Sequence, residues 1–310
     1  MKRLAWLAMT VAACGADFDP GSRVSDFRLI AVGADEPFAA PGDRVTVSTL
    51  WHDPEGRPTQ WAWTTCTNPD DSTVTACLRS LAAQARSGAP PVVTAGADMD
   101  RFTWTVPADA LDALPPDTRQ AALAGILTVA CPGTLRLDLA TDAGAGLPIH
   151  CLDAASGADL PYERFAVSVR RIFLRAHDRN ADPAIGQVTW DGQPWGEADV
   201  PETTACANDT NDIDACDGGE RHGVAAIPTA DSAESGVDEF GAPFTEAVAV
   251  QFYASEGTFE FDARTAATAR LGSDWVARAS ARGAEVIMWF VVRDDRGGVS
   301  WTSRRVHVRP

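Results

Sequence analysis

Short apolar runs that alternate with polar positions recur along this chain. The run 44–51 sets Val45, Val47, Thr49 and Trp51 against Thr46, Ser48 and Leu50, and the run 102–106 alternates until Pro107 stops it. Residues 163–174 carry Phe165, Val167 and Val169, then Ile172 and Leu174; 248–253 and 257–261 repeat the plan. A two-residue period puts every second side chain on one face of a sheet, so each run predicts a half-buried strand. Residues 285–292 are almost wholly apolar, as a strand covered on both faces would be. Helical signals are few. Residues 80–86, 108–114 (stopped by Pro115-Pro116) and the Ala-rich 265–271 each predict a short helix too small to organise a fold.

Turn clusters separate the runs, and Pro and Gly are spread evenly, which predicts an all-β chain of antiparallel sandwiches rather than βαβ units. At about 100–150 residues per domain, the 310 − 13 = 297 residues from position 14 onward predict two domains. The polar stretch from Arg175 to Pro183 follows a strand and sets the boundary, giving a tether over 14–23 and domains over 24–174 and 175–310. Within the second, 197–239 holds twelve Asp or Glu and one Arg. That composition predicts a long acidic surface loop.

The first residues add a location. Lys2 and Arg3 precede the short apolar run 4–11, followed by Val11-Ala12-Ala13-Cys14-Gly15. A basic start, a short apolar stretch and small residues predict a secretory signal over 1–13, too short to span a bilayer. This stretch resembles the lipobox of bacterial lipoproteins. The resemblance implies that Cys14 is acylated and becomes the new N-terminus, leaving 310 − 13 = 297 residues attached to a lipid bilayer. Gly15 and Ala16 place no Asp after Cys14, which favours the outer membrane or cell surface over the inner membrane.

Charge and cysteines agree with export. The formal net charge is −17, or −17 − 2 = −19 without Lys2 and Arg3, so the basic footprint that nucleic acid needs is missing. Setting Cys14 aside leaves six Cys, at 66, 77, 131, 151, 206 and 216. Six allow 15 connectivities, but short loops close at the least entropic cost. Pairing Cys66–Cys77, Cys131–Cys151 and Cys206–Cys216 is therefore expected, in an oxidising compartment. No CxxC or HxxxH spacing suggests zinc.

Two local motifs resemble bacterial immunoglobulin-like modules of the PKD-like and cadherin-like kinds. One is Pro41-Gly42-Asp43 before a strand, then Asp53-Pro54-Glu55-Gly56-Arg57-Pro58 and Trp61-Ala62-Trp63; the other is 291–301, with Arg293-Asp294-Asp295-Arg296-Gly297-Gly298, before the terminal strand 304–308. With the lipobox and the Cys pairs, the chain resembles a group of bacterial surface lipoproteins built from such domains. The resemblance implies two Ig-like β-sandwiches and a place in the cell envelope, without a reaction.

Candidate chemistry is sparse. Asp53 and Glu55 occupy the calcium-ligand positions of cadherin-like relatives, but Arg57 opposes a divalent ion there. In the acidic segment, Asp209, Asn211, Asp212, Asp214, Asp217 and Glu220 crowd oxygen ligands suited to calcium. The EF-hand pattern fails in both registers, because Ile213 or Cys216 falls where a ligand belongs; a solvated acidic loop is the competing reading. Trp190 and Trp195 flank the turn Asp191-Gly192-Gln193-Pro194, where indoles either stack on a glycan or cap the sandwich. Trp61 and Trp63 point to one face, at least one of them near the edge of the core. No GxSxG elbow or HExxH helix is present, Gly144-Ala145-Gly146 lacks the third glycine of a dinucleotide loop, and His177-Asp178 sits in linker sequence. The expected protein is thus not an enzyme but a non-catalytic, lipid-anchored envelope protein with a structural, adhesion or binding role. Calcium is the one candidate ion, an envelope protein or glycan the candidate partner, and a glycan-active enzyme with paired carboxylates a distant third reading.

Overall fold

The computed structural model describes residues 20–68, 73–87, 92–112, 114–116, 118–137, 149–238, 240–265 and 271–310. The signal segment with Cys14, the Gly144–Gly146 stretch and most of the expected helix 265–271 lie outside them. No helix among the described residues is long and apolar enough to cross a membrane.

Among the described residues the chain is all-β apart from one α-helix and short 3-10 turns. Before residue 175 run β1 (Arg28–Ala34), β2 (Phe38–Ala39), β3 (Arg44–His52), β4 (Gln60–Thr67), β5 (Thr94–Ala97), β6 (Arg101–Thr105), β7 (Leu123–Cys131), β8 (Thr134–Leu137), β9 (Ile149–Leu152) and β10 (Ala166–Leu174). After it come β11 (Ile185–Trp190), β12 (Gln193–Pro194), β13 (Glu202–Thr203), β14 (Arg221–Pro228), β15 (Ser235–Val237), β16 (Pro243–Thr245), β17 (Ala249–Ala254), β18 (Thr258–Phe259), β19 (Ala263–Thr265), β20 (Gly272–Val276), β21 (Glu285–Arg293) and β22 (Val299–Val308).

One topology is used twice. Sheet β1-β3-β6 packs against β2-β10-β7-β4-β5, and β12-β11-β14-β20-β18 packs against β13-β22-β21-β17-β19. In each half a two-residue strand, β2 or β13, pairs parallel with the last strand, β10 or β22; the other ladders are antiparallel. This short strand lets the chain leave one sheet and close the edge of the other. The inward faces follow the alternation in the sequence. Val45 and Val47 of β3, Trp61 and Trp63 of β4, and Ile172 and Leu174 of β10 fill the first core. Phe252, Trp275, Met288, Phe290 and Val306 fill the second.

Four expectations need correction. The segment 197–239 is not one loop, because it contains β13, the central strand β14 and β15. Val224 and Ala226 alternate inward from β14 and are buried, a signal too short to stand out among so many acids. The helix expected over 80–86 is α1 (Val74–Arg86), which starts earlier because the Thr73 hydroxyl accepts a hydrogen bond from the Ala76 amide at 3.1 Å. Residues 108–112 form turns instead of a helix. Finally, neither indole of the Trp61/Trp63 pair lies at the edge of the core, since both are fully buried.

A third apolar cluster joins the two sandwiches. Val24, Ile30 and Ala31 from the first part of the chain bury against Trp289, Val291 and Val299 of β21 and β22, with Leu50, Tyr253, Ile287 and Trp301 around them. The backbone adds to this contact: Val24 donates to the Ala254 carbonyl at 2.8 Å and Ala254 donates to Ser22 at 2.9 Å. Gly33 permits the close approach, because a Cβ there would stand 2.8 Å from the Trp301 ring. Burying apolar area on both partners favours one fixed arrangement of the two sandwiches.

Candidate functional site

The six described cysteines form Cys66–Cys77, Cys131–Cys151 and Cys206–Cys216, the neighbour pairing expected from loop-closure entropy. Two of them pin an excursion to its sheet and the third closes a loop. Cys66–Cys77 ties α1 to β4, Cys131–Cys151 ties β9 to β7, and Cys206–Cys216 closes the segment ahead of β14.

The candidate calcium ligands are directed to separate neighbours or to solvent. Asp209 accepts from the Ser280 amide at 2.8 Å, Asn211 from Arg23 at 2.8 Å, and Asp212 caps the Asp214 amide at 3.0 Å. Asp214 pairs with Arg221 at 2.9 Å, and Glu220 with Arg309 at 2.7 Å, while Asp217 points to solvent. The Arg309 guanidinium holds the Glu220 carboxyl below the ordinary range. These oxygens are spent on separate partners. Among the described residues no group of three or more His, Cys, Asp or Glu is placed to hold a metal ion. At the other candidate, Arg57 grips both oxygens of Asp53, at 3.0 and 2.8 Å. Burial works to raise the Asp53 carboxyl, but this grip outweighs it and holds the group below its usual range.

The indole pair caps the second sandwich. Trp195 is buried in the core and donates to the Asp199 carbonyl at 3.0 Å; Trp190 meets it edge-on at 5.0 Å. Of the two readings, stacking on a glycan or capping the sandwich, this placement fits the cap: Trp195 is buried and Trp190 half-buried. Trp190 instead lies on the His222 imidazole at 4.2 Å, in a network that sequence reading missed. Asp191 sits at 2.8 Å from His222 Nδ1, and Thr203 Oγ1 sits at 2.8 Å from Nε2. Hydroxyl, imidazole and carboxylate follow the order of a hydrolytic triad. Thr203 is fully buried, however, so its hydroxyl is closed to a substrate, and the trio braces β13 against β14 and the β11–β12 turn. His177 and Asp178 are exposed and make no such pair. Only the D-G turn after Trp190 hinted at this network, because Asp191 holds a positive φ of 49° that orients its carboxylate.

A cleft lies where β1 and β10 run side by side without hydrogen bonding. Among the described residues both are strand edges there: β1 pairs only with β3, and β2 covers β10 only at Phe173 and Leu174. The turn from Asp294 to Gly298 closes one end, and the volume is about 760 Å³. A bulge at Ile30 breaks the β1 register, and the Ile30 carbonyl accepts from Arg293 Nη2 at 3.5 Å. Leu29, Val32, Phe165 and Val167 supply apolar wall; Arg170, Arg171, Arg293, Asp294 and Asp295 supply charge.

The charges are unevenly satisfied. Asp294 accepts from the Gly298 and Arg296 amides and from Asn180. Arg170, only 9 % exposed, donates to the Gly297 carbonyl through Nη2, while its buried Nε has no partner. Burial pulls the Arg170 guanidinium down to about 10, against the favourable fields of Asp182 and Asp294 and with the repulsion of Arg293 and Arg171. Burial lowers Arg293 as well.

Asp182 stands behind this cleft, accepting from the Val299 amide at 2.8 Å. Burial pushes its carboxyl up to about 6, with Asp294 and Asp35 adding to the rise and the Val299 amide and Arg170 opposing it. An unfolded Asp titrates near pH ~4. The folded chain thus holds the extra proton between about pH 4 and 6, and this residue's contribution to stability falls as pH rises through that interval. Asp182→Asn should melt above the wild type at pH 7.5, with the difference closing by pH 4; calorimetry across that range measures it, and a constant difference would remove the assignment.

No protein-family model matches the chain, and no curated protein matches it. Among solved structures it is similar to the crystal structure of red sea bream transglutaminase, at a TM-score of 0.25 and 9 % identity, over 92 % of this chain and 32 % of that one. The chain thus spans about a third of that protein's length. Likeness at this level carries no argument about activity in either direction, and the expectation that this chain is not an enzyme is withdrawn.

Proposed function

We propose that this is an exported, lipid-anchored protein of the bacterial cell envelope, with two immunoglobulin-like domains over 24–174 and 175–310 serving a structural or binding role. One observation carries the reading. All six described cysteines are paired, which leaves Cys14 as the odd one, in the sequence context that resembles a lipobox. Three disulfides belong to an oxidising compartment. The apolar joint between the sandwiches supports a stiff, fixed body held at the membrane by its tether, suited to presenting a surface rather than to hinging.

The anchor is tested by expressing the full chain in a Gram-negative host and taking the intact mass of the membrane-extracted protein. The expected species starts at Cys14 and carries acyl chains, and Cys14→Ser moves the protein out of the detergent phase. A chain of unmodified mass starting at Met1 in the soluble fraction overturns the proposal.

A further inference from the structure

We propose that the cleft between β1 and β10 is a binding site for a small organic anion, a carboxylate or phosphate joined to an apolar body, held by Arg170 and Arg293. This goes beyond envelope anchoring and does not depend on it. The cleft's 760 Å³ is within the ordinary range of small-molecule sites, about 300–1,000 Å³. Its wall divides by chemistry, with Leu29, Val32, Phe165 and Val167 against the arginines.

The arginines carry the argument. A guanidinium taken out of water ordinarily meets a carboxylate, because an unpaired buried charge is costly. Neither Arg170 nor Arg293 forms an ion pair among the described residues. Arg170 rests on one carbonyl with Nε unpartnered, and Arg293 rests on Gln251 at 2.8 Å and the Ile30 carbonyl. The nearby Asp294 carboxylate is committed to three other donors. Two like charges are thus held close enough to repel one another beside a cavity. An oxyanion between them relieves that repulsion and accepts charge-assisted hydrogen bonds from a planar fork built for such groups. Asp295 and the exposed Arg171, also on the cleft wall, offset one another in formal charge.

Calorimetric titration of the folded protein with hexanoate and with hexyl phosphate tests the site, with hexylammonium and hexanol as matched probes. At least one anion should bind saturably, and the cation and the alcohol should not; the anion that binds better names the headgroup. Arg170→Gln and Arg293→Gln should each weaken binding about tenfold or more, the loss expected for a hydrogen bond to a charged group. Asp182→Asn, which removes a competing carboxylate near Arg170, should strengthen it, so the site is also tested by a gain that misfolding cannot mimic. Arg305→Gln makes the same change in net charge on exposed β22, outside the cleft, and should bind as the wild type. The proposal is overturned if neither anion saturates, if hexylammonium or hexanol binds as tightly, or if Arg305→Gln weakens binding as much as Arg293→Gln.

Discussion

Trp63→Ala is expected to remove about 3–5 kcal/mol from the stability of the first sandwich, the usual cost of emptying a buried aromatic site. Trp63 is fully buried, lying parallel to Trp61 at 6.1 Å and to Phe102 at 5.6 Å. Its Nε1 donates to the Met99 carbonyl at 2.7 Å, so the substitution also takes away that acceptor's partner. Trp51 stands edge-on to Trp61 at 5.8 Å, and the indoles and Phe102 make a continuous stack linking β3 and β6 on one sheet to β4 on the other. A stack of large rigid rings relaxes poorly around a hole, which places the cost toward the upper end. At roughly 2–4 °C per kcal/mol for a domain of this size, melting should fall by about 10 °C or more. A loss under about 1 kcal/mol in calorimetry would show that Trp63 does not occupy the centre of this core.

The second large effect concerns the Cys66–Cys77 bridge. Replacing both residues by alanine should cost about 2–4 kcal/mol and detach α1 from the sheet. Closure of an 11-residue separation accounts for much of that figure in the chain-entropy picture. The rest is local packing. Val74, Cys77, Leu78 and Leu81 lie at helical spacing and make one apolar face, which rests on Leu127, Val167 and Val169. Gly125 of β7 leaves room for the bridge, since a Cβ there would stand 2.7 Å from the Cys66 sulfur. At 13 residues α1 is near the limit at which a helix holds by itself in water. Hydrogen exchange should therefore show the α1 amides opening in the double variant while β4 and β7 stay protected. Unchanged protection of α1 would contradict a stapling role for the bridge.

The cleft and the His222 network were not legible in the chain. Their residues come from distant places: Arg170 ends up beside Gly297, Arg293 beside Ile30, and Thr203 beside His222 and Asp191. No spacing rule connects such positions. In sequence Arg170-Arg171 reads as an interruption of an apolar run, and only the strand alternation implies that one of them turns inward. The acidic segment misled for the opposite reason. Its carboxylates are near one another along the chain, yet backbone amides and arginines draw them apart in space.

Local physics determined much of this protein from its sequence alone. Two-residue alternation is a property of the extended backbone itself, so β3, β6, β10 and β17 could be placed before any contact was known, and an unbroken apolar run placed β21. Loop-closure entropy depends on chain separation, so the three disulfides followed from counting. The tertiary structure alone decided which outward faces meet. Trp289 and Trp301 sit in strand runs that read as core, but they lie on the outer side of β21 and β22 and bury against β1 and β3. Alternation says that a face is apolar without saying what covers it. The same holds for Arg170 and Arg293, whose burial was set when two strand edges and a turn from opposite ends of the chain closed around them.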